Sequence, residues 1–196
     1  MTKSRYYKPA LAALFAALTA IGAFIQVPLG FTSITLQTMF TILAGLLLGS
    51  KWGALSQIVY VVLGLAGLPI FTKGGGPGYF LQPSMGFLLA LIPAAFAAGL
   101  IAEKMDRGSS ADSKGSMAPA ITACIIAEII MYAIGTPYMG FILNSHMGLG
   151  YSASRILKAG CLIYLPGDLV KCIAAVAVYM PVKRALKSSG LLPEQN

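Results

Sequence analysis

Six runs of about 17 to 26 apolar residues, almost free of charge, occupy most of this chain. That is the length an α-helix needs to cross roughly 30 Å of hydrocarbon. Inside a bilayer every backbone N–H and C=O must find its partner within the protein, so only helices and closed barrels can span it. Strand-like alternation of apolar and polar residues is missing, which argues against a barrel. A hydrophobic content of 57% with only 10% charged residues agrees, being far from the balance of a soluble domain. The expected fold is therefore an all-α integral membrane protein, a single membrane domain over 1–196. Its six transmembrane helices are expected at 9–26, 33–49, 52–69, 81–102, 117–143 and 156–181.

An even number of crossings puts both termini on one side, and the basic residues choose the side. Lys3, Arg5, Lys8, Lys51, Lys104, Arg107, Lys114, Lys183, Arg184 and Lys187 fall on one side. Lys73, Arg155 and Lys158 fall on the other. Ten against three makes both termini cytoplasmic in a multi-pass protein of the cell membrane. The net charge of +8 thus reads as a topology signal in a lipid bilayer and not as a nucleic-acid surface, since the basic residues sit between and outside the apolar runs. The N-terminus leads into a long Ala-rich run without a small-polar cleavage region, so a retained first helix is expected in place of a removed signal peptide.

Two connections differ in kind. The cytoplasmic loop 103–116, EKMDRGSSADSKGS, is polar and rich in Ser and Gly, a solvent loop between two three-helix halves that show no convincing repeat. The external stretch LPIFTKGGGPGYFLQPSMG mixes Pro and Gly with Phe71, Tyr79, Phe80 and Leu81. Irregular backbone at membrane depth survives only where protein buries it or a cavity hydrates it, so the capping loop 69–84 is expected to roof a pocket.

Asp168 and Lys171, in YLPGDLVKC, carry charge into an apolar run. A charge at mid-bilayer costs about 2.5–3.5 kcal/mol on insertion scales, so it pairs or faces a polar cavity. Spaced i, i+3, the two share one helical face and can neutralise each other. Pro166 and Gly167 just before them can loosen the helix and free backbone groups there, which would make a ligand floor; an ordinary kink with a tolerated ion pair is the alternative. Glu128, the other isolated acid, requires a partner or a proton, and structural and ligand roles are both open to it. His146 reads as a surface residue, lacking an acid–serine pattern around it. Cys124, Cys161 and Cys172 form no C-x-x-C pair and read as small buried hydrophobes, with no zinc site or other metal centre supported. On the first helix Ala13, Ala17 and Ala20 belong to overlapping A-x-x-x-A pairs, a flat face that lets another helix approach closely, within the bundle or from a partner. No phosphate-binding G-x-x-x-x-G-K-[ST] occurs, and GGGPG lacks the Lys that would follow, so any ATP drive must come from partners. No hydrolase or metalloprotease pattern appears either.

The stretches FTSITLQT (31–38), AGLLLGSKWGALSQIVYVVLGLAGLPIF (44–71), FLQPSMGF (80–87) and YLPGDLVK (164–171), taken in order, resemble the BioY family. That family comprises the substrate-binding S components of biotin energy-coupling-factor transporters. The resemblance spans nearly the whole chain, and G-x-x-G-L-P-x-F combined with P-G-D-x-x-K is what makes it specific. It implies an S-component fold, a non-enzymatic role without cofactor, and high-affinity capture of biotin from the external side. It also implies docking on a transmembrane coupling protein and two ABC-type ATPases through Ala13, Ala17 and Ala20. By the same resemblance Asp168 and Lys171 meet the ligand: the acid can accept from ureido N–H groups, and the amine can pair with a carbonyl or carboxylate oxygen. Some members reach the ligand with an Asn in the external loop, where this chain has TKGGGPGYF. Backbone N–H groups of Gly75 and Gly76, with Gln82, Ser84 and Gln37, are the expected replacements. Tyr79, Phe71 and Tyr164 are expected as apolar walls. Two other readings are weighed beside this one: an S component for a different vitamin, and an intramembrane enzyme using Asp168, Glu128 or His146.

Overall fold

The structure is a computed structural model that describes residues 3–108 and 117–189 of the chain. Helix α1 (Lys3–Phe24) is followed by a hairpin of strands β1 (Gln26–Leu29) and β2 (Thr32–Thr35). Helices α2 (Gln37–Leu48), α3 (Ser50–Leu65), α4 (Met85–Gly108) and α5 (Ala118–Phe141) come next, and α5 runs on into a π-helical turn, Ile142–His146. A short α6 (Ala153–Leu157), a second π turn (Lys158–Leu162) and α7 (Leu165–Ser188) complete the fold. The first six residues of the expected loop 103–116 continue α4 as helix; 109–116 lie outside the described residues.

Among the described residues, four helical stretches are long and apolar enough to cross a membrane: Tyr7–Phe24, Met85–Met105, Ala118–His146 and Ala153–Leu186. The expected second span, 33–49, divides. Its first residues belong to β2, and the 12 residues of α2 rise only about 18 Å. The hairpin escapes a pattern search because four-residue strands are too short to display a period of two. Its local signal is Gly30, whose φ of +68° supplies the first position of a two-residue hairpin loop.

Small residues bring the backbones together around α4, which packs against α2, α3 and α5. Ala90, Ala94, Ala95 and Ala98 are fully buried on it. Gly45 of α2 faces this strip so closely that a Cβ there would come within 2.8 Å of the Ala98 Cβ. Gly49, with φ +84°, makes the sharp turn from α2 into α3. Gly53 of α3 folds back onto Gly45, where an added Cβ would sit 2.7 Å from the Gly45 Cα. Glu103 of α4 accepts the Ser50 N–H at 2.7 Å and its hydroxyl at 3.0 Å. A carboxylate is thus placed on the amides that open α3, where the helix dipole favours negative charge.

One buried polar cluster ties α1, α2 and α3 together. Gln57 donates to Thr19 at 3.3 Å and to Ser56 at 3.0 Å, and accepts from Thr41 at 3.0 Å. All four side chains are fully buried, and each is satisfied, as burial without water demands.

Candidate ligand-binding site

The two residues singled out in YLPGDLVKC do lie together. Lys171 Nζ is 2.5 Å from Asp168 Oδ1, and both side chains are nearly buried. The irregular backbone that frees this region lies one turn earlier than Pro166–Gly167, in the π turn 158–162 and the bend that follows. Pro166 then falls in the first turn of α7, where its missing N–H costs no helical hydrogen bond. Asp168 also lies in that first turn, at the positive end of the α7 dipole. Gly167 has a packing role: a Cβ there would meet Ile34 of β2 at 2.8 Å. Its absence lets the hairpin close against α7.

Together these elements enclose a cavity. Strand β2 contributes Thr32, Ser33, Ile34 and Thr35; α2 contributes Gln37 and Thr38; the loop after α3 contributes Thr72, Tyr79 and Ser84. Phe87, Leu88, Leu91 and Met131 supply apolar surface, and Glu128, Tyr132, Tyr164, Asp168 and Lys171 close the remaining side. Converging hydroxyl, amide and charged groups over an apolar base are the general pattern of a small-molecule site. A second, wider groove of about 650 Å³ opens between α5 and α7, with Ile121, Ile125, Leu169 and Ile173 along it and Glu128, Asp168 and Cys172 at its inner wall. Those four hydrophobics are exposed. The groove offers few groups for polar recognition, so the first cavity is the candidate site.

Of the residues expected at a site, Asp168, Lys171, Tyr79, Gln37, Ser84 and Tyr164 all line this cavity. Phe71, Gly75 and Gly76 stand behind its wall. Phe71 is buried between Tyr60 and Tyr79, with ring centroids 5.4 and 4.6 Å away. It lies over Gly64, where a side chain would collide with the ring. The Gly76 N–H donates to the Gly64 carbonyl at 2.7 Å, and Gly75 packs against the Leu68 carbonyl, so both pin the loop to the end of α3. The loop's hydroxyls gather at Tyr79, whose OH bonds Thr72 at 3.0 Å and receives the Ser84 hydroxyl at 3.1 Å.

Two contributors, Tyr132 and Tyr60, escaped sequence reasoning. Tyr132 donates its hydroxyl to Asp168 Oδ2, so each carboxylate oxygen has its own partner. The only sequence signal is that Tyr132 follows Glu128 by four residues and so shares its helical face. Tyr60 accepts from Gln37 Nε2 at 2.7 Å and donates to the Ile70 carbonyl at 3.0 Å, while Gln37 Oε1 accepts from Thr35 at 2.9 Å. A chain of hydrogen bonds therefore runs from the capping loop to the cavity wall. Tyr164 reaches the hairpin, donating to the Leu29 carbonyl at 3.0 Å and accepting from Thr32 at 2.5 Å. Glu128 is half-buried and takes a long contact, 3.9 Å, from the Cys172 thiol. His146 is exposed at the end of the π turn after α5, away from the cavity lining.

On α1, Ala13 and Ala17 are exposed and Ala20 is half-buried, whereas Ala12, Ala16 and Thr19 turn inward. The small-residue pairs therefore divide between an inner and an outer face.

Comparison with known proteins agrees in sequence and in fold. The profile of the BioY family matches residues 1–188. A probable biotin transporter BioY of Lysinibacillus sphaericus is 40% identical over 177 residues, covering 90% of this chain and 87% of its own. A biotin transporter BioY of Rhodobacter capsulatus is 41% identical over 184 residues, covering 87% and 93%. The crystal structure of an S-component for biotin from an ECF-type ABC transporter superposes with a TM-score of 0.71 at 26% identity over 94% of each chain.

Proposed function

Since the chain belongs to the BioY family of membrane transport proteins, we propose that it captures biotin with high affinity as the substrate-binding component of an uptake transporter. The observation that carries this reading is the buried Asp168–Lys171 pair with Tyr132, set in the wall of a cavity that also presents hydroxyl and amide groups over an apolar base. A fused ureido ring offers two N–H donors and one carbonyl acceptor. Asp168 takes the donors, Lys171 pairs with the carbonyl or with the ligand's carboxylate, and Tyr79 and Tyr164 flank the rings. Ser84 and Gln37 supply the remaining polar contacts from the loop and α2. Gly75 and Gly76 act by holding the loop in place, Gly76 through its N–H and Gly75 through its close packing on the Leu68 carbonyl.

In this reading the capping loop and the hairpin face the outside, both termini are cytoplasmic, and six helical segments cross the cell membrane. Capture involves no chemical change of the ligand. Ala13, Ala17 and Ala20 dock a transmembrane coupling protein that carries two ABC-type ATPases; the outward turn of Ala13 and Ala17 supports this, because a docking face must be free of the bundle.

The experiment is a thermal-shift panel of biotin, thiamin and riboflavin on the purified chain, since a ligand bound by the folded state alone raises apparent stability by mass action. Biotin alone is expected to shift the transition. A shift with thiamin or riboflavin instead would reassign the ligand.

A further inference from the structure

The segments around the hairpin that walls the cavity carry basic residues and no acid, and we infer that this surface steers an anionic ligand into the site. The inference rests on the biotin reading above, because biotin carries a carboxylate. The segments at this end of the molecule, 25–36, 66–84 and 142–163, contain Lys73, Arg155 and Lys158 and no Asp or Glu. All three basic side chains are exposed, and among the described residues none of them forms an ion pair. Their charge is therefore uncompensated.

The placement is specific. Lys73 follows Thr72 of the cavity lining and reaches across to the Phe31 carbonyl at 3.2 Å, at the tip of the hairpin whose second strand walls the cavity. Arg155 lies over the Tyr151 ring at 3.9 Å, and that ring meets Phe31 edge-on at 6.0 Å. Asn144 holds both backbone polar groups of Tyr151, at 2.6 and 2.9 Å, which fixes the platform under Arg155. Two cations thus converge on one hairpin tip, and Lys158 adds a third one turn after Arg155. Deeper in the site the Asp168–Lys171 pair cancels itself and Glu128 adds one half-buried acid, so the exposed charge that an approaching anion meets first is that of the three basic residues. A cluster of like charge beside a low-dielectric wall raises the encounter rate with opposite charge, and does so less as salt screens it.

The test is rapid mixing of tritiated biotin with the full chain in nanodiscs of phosphatidylcholine, whose headgroups carry no net charge, across ionic strengths. The association rate is expected to fall roughly tenfold between low and about half-molar salt, with the dissociation rate nearly constant. The uncharged biotinamide is expected to show no such slope, and Lys73→Gln/Arg155→Gln/Lys158→Gln is expected to flatten the slope for biotin. The parent protein's salt series needs no variant, so a folding defect in the triple substitution leaves the question decidable. A salt-independent association rate, or equal slopes for biotin and biotinamide, would overturn the steering while leaving the function intact. No biotin binding at any ionic strength would overturn both.

Discussion

Lys171 Nζ stands 2.5 Å from Asp168 Oδ1, one helical turn apart on α7 and almost closed to solvent. The pair is electrically neutral as a unit, which is how two charges persist in an apolar segment. Breaking it strands the survivor, and an unpaired buried charge costs more than the pair contributes. Asp168→Ala is therefore expected to lower biotin affinity by about 2–5 kcal/mol, measured by calorimetry. The double substitution Asp168→Ala/Lys171→Ala should recover thermal stability relative to the single one while staying unable to bind. If Asp168→Ala binds like the parent, Asp168 is not in the site.

Tyr132 gives the same carboxylate its second partner. Tyr132→Phe keeps the ring and removes only the hydroxyl, a hydrogen bond to a charged group that is worth about 1.5–3 kcal/mol. The expected result is at least a tenfold loss of biotin affinity, with the biotin-induced rise in melting temperature reduced accordingly. Parent-like affinity would reduce Tyr132 to a bystander.

The hydrogen-bond chain from Ile70 through Tyr60 and Gln37 to Thr35 couples the capping loop to the cavity. Tyr60→Phe cuts it at the middle and leaves Gln37 with an unmatched buried donor. Hydrogen exchange over 68–76 should accelerate, reporting loop opening, and biotin should dissociate faster. Unchanged exchange there would show that the loop is held by Phe71 and Gly76 alone.

Gly53 and Gly45 allow α2 and α3 to touch backbone to backbone. Gly53→Ala places a methyl where the Gly45 Cα already lies, and the helices must separate at a cost of about 1–3 kcal/mol. A clear drop in melting temperature in detergent is expected. Gly78→Ala serves as the control, since a Cβ there meets nothing.

Ala17→Leu places a bulky side chain on the exposed face of α1 without touching the core. Biotin affinity should stay at the parent level while co-purification of the ATPase-bearing module falls. Parallel loss of both would mean that this face belongs to the bundle.

Much of the candidate site's lining was legible in the sequence, but unevenly. The spacing of Asp168 and Lys171 declares their contact because an i, i+3 pair meets on any helix. Ser84 and Gln37 are expected in place of the Asn that this chain lacks and Tyr79 as an apolar wall, and the structure brings all three to one cavity. Phe71, at the end of the stretch 44–71, supports the wall from behind, a distinction that depends on the Gly64 contact and on no local pattern.

What the sequence determined alone are the properties of short segments: apolar length sufficient for lipid, the punctuation between helices, and a charge pair one turn apart. Each follows from transfer free energy or local geometry, which neighbouring residues decide among themselves. The tertiary structure decided the rest. It joined Tyr132 to a carboxylate 36 positions away and Tyr164 to Thr32 across 132. It also turned Ala13 and Ala17 outward while Ala12 and Ala16 went in. Those outcomes depend on how closely whole backbones approach, and that is set by glycine and alanine contacts distributed over five helices, where no single stretch of sequence holds the information.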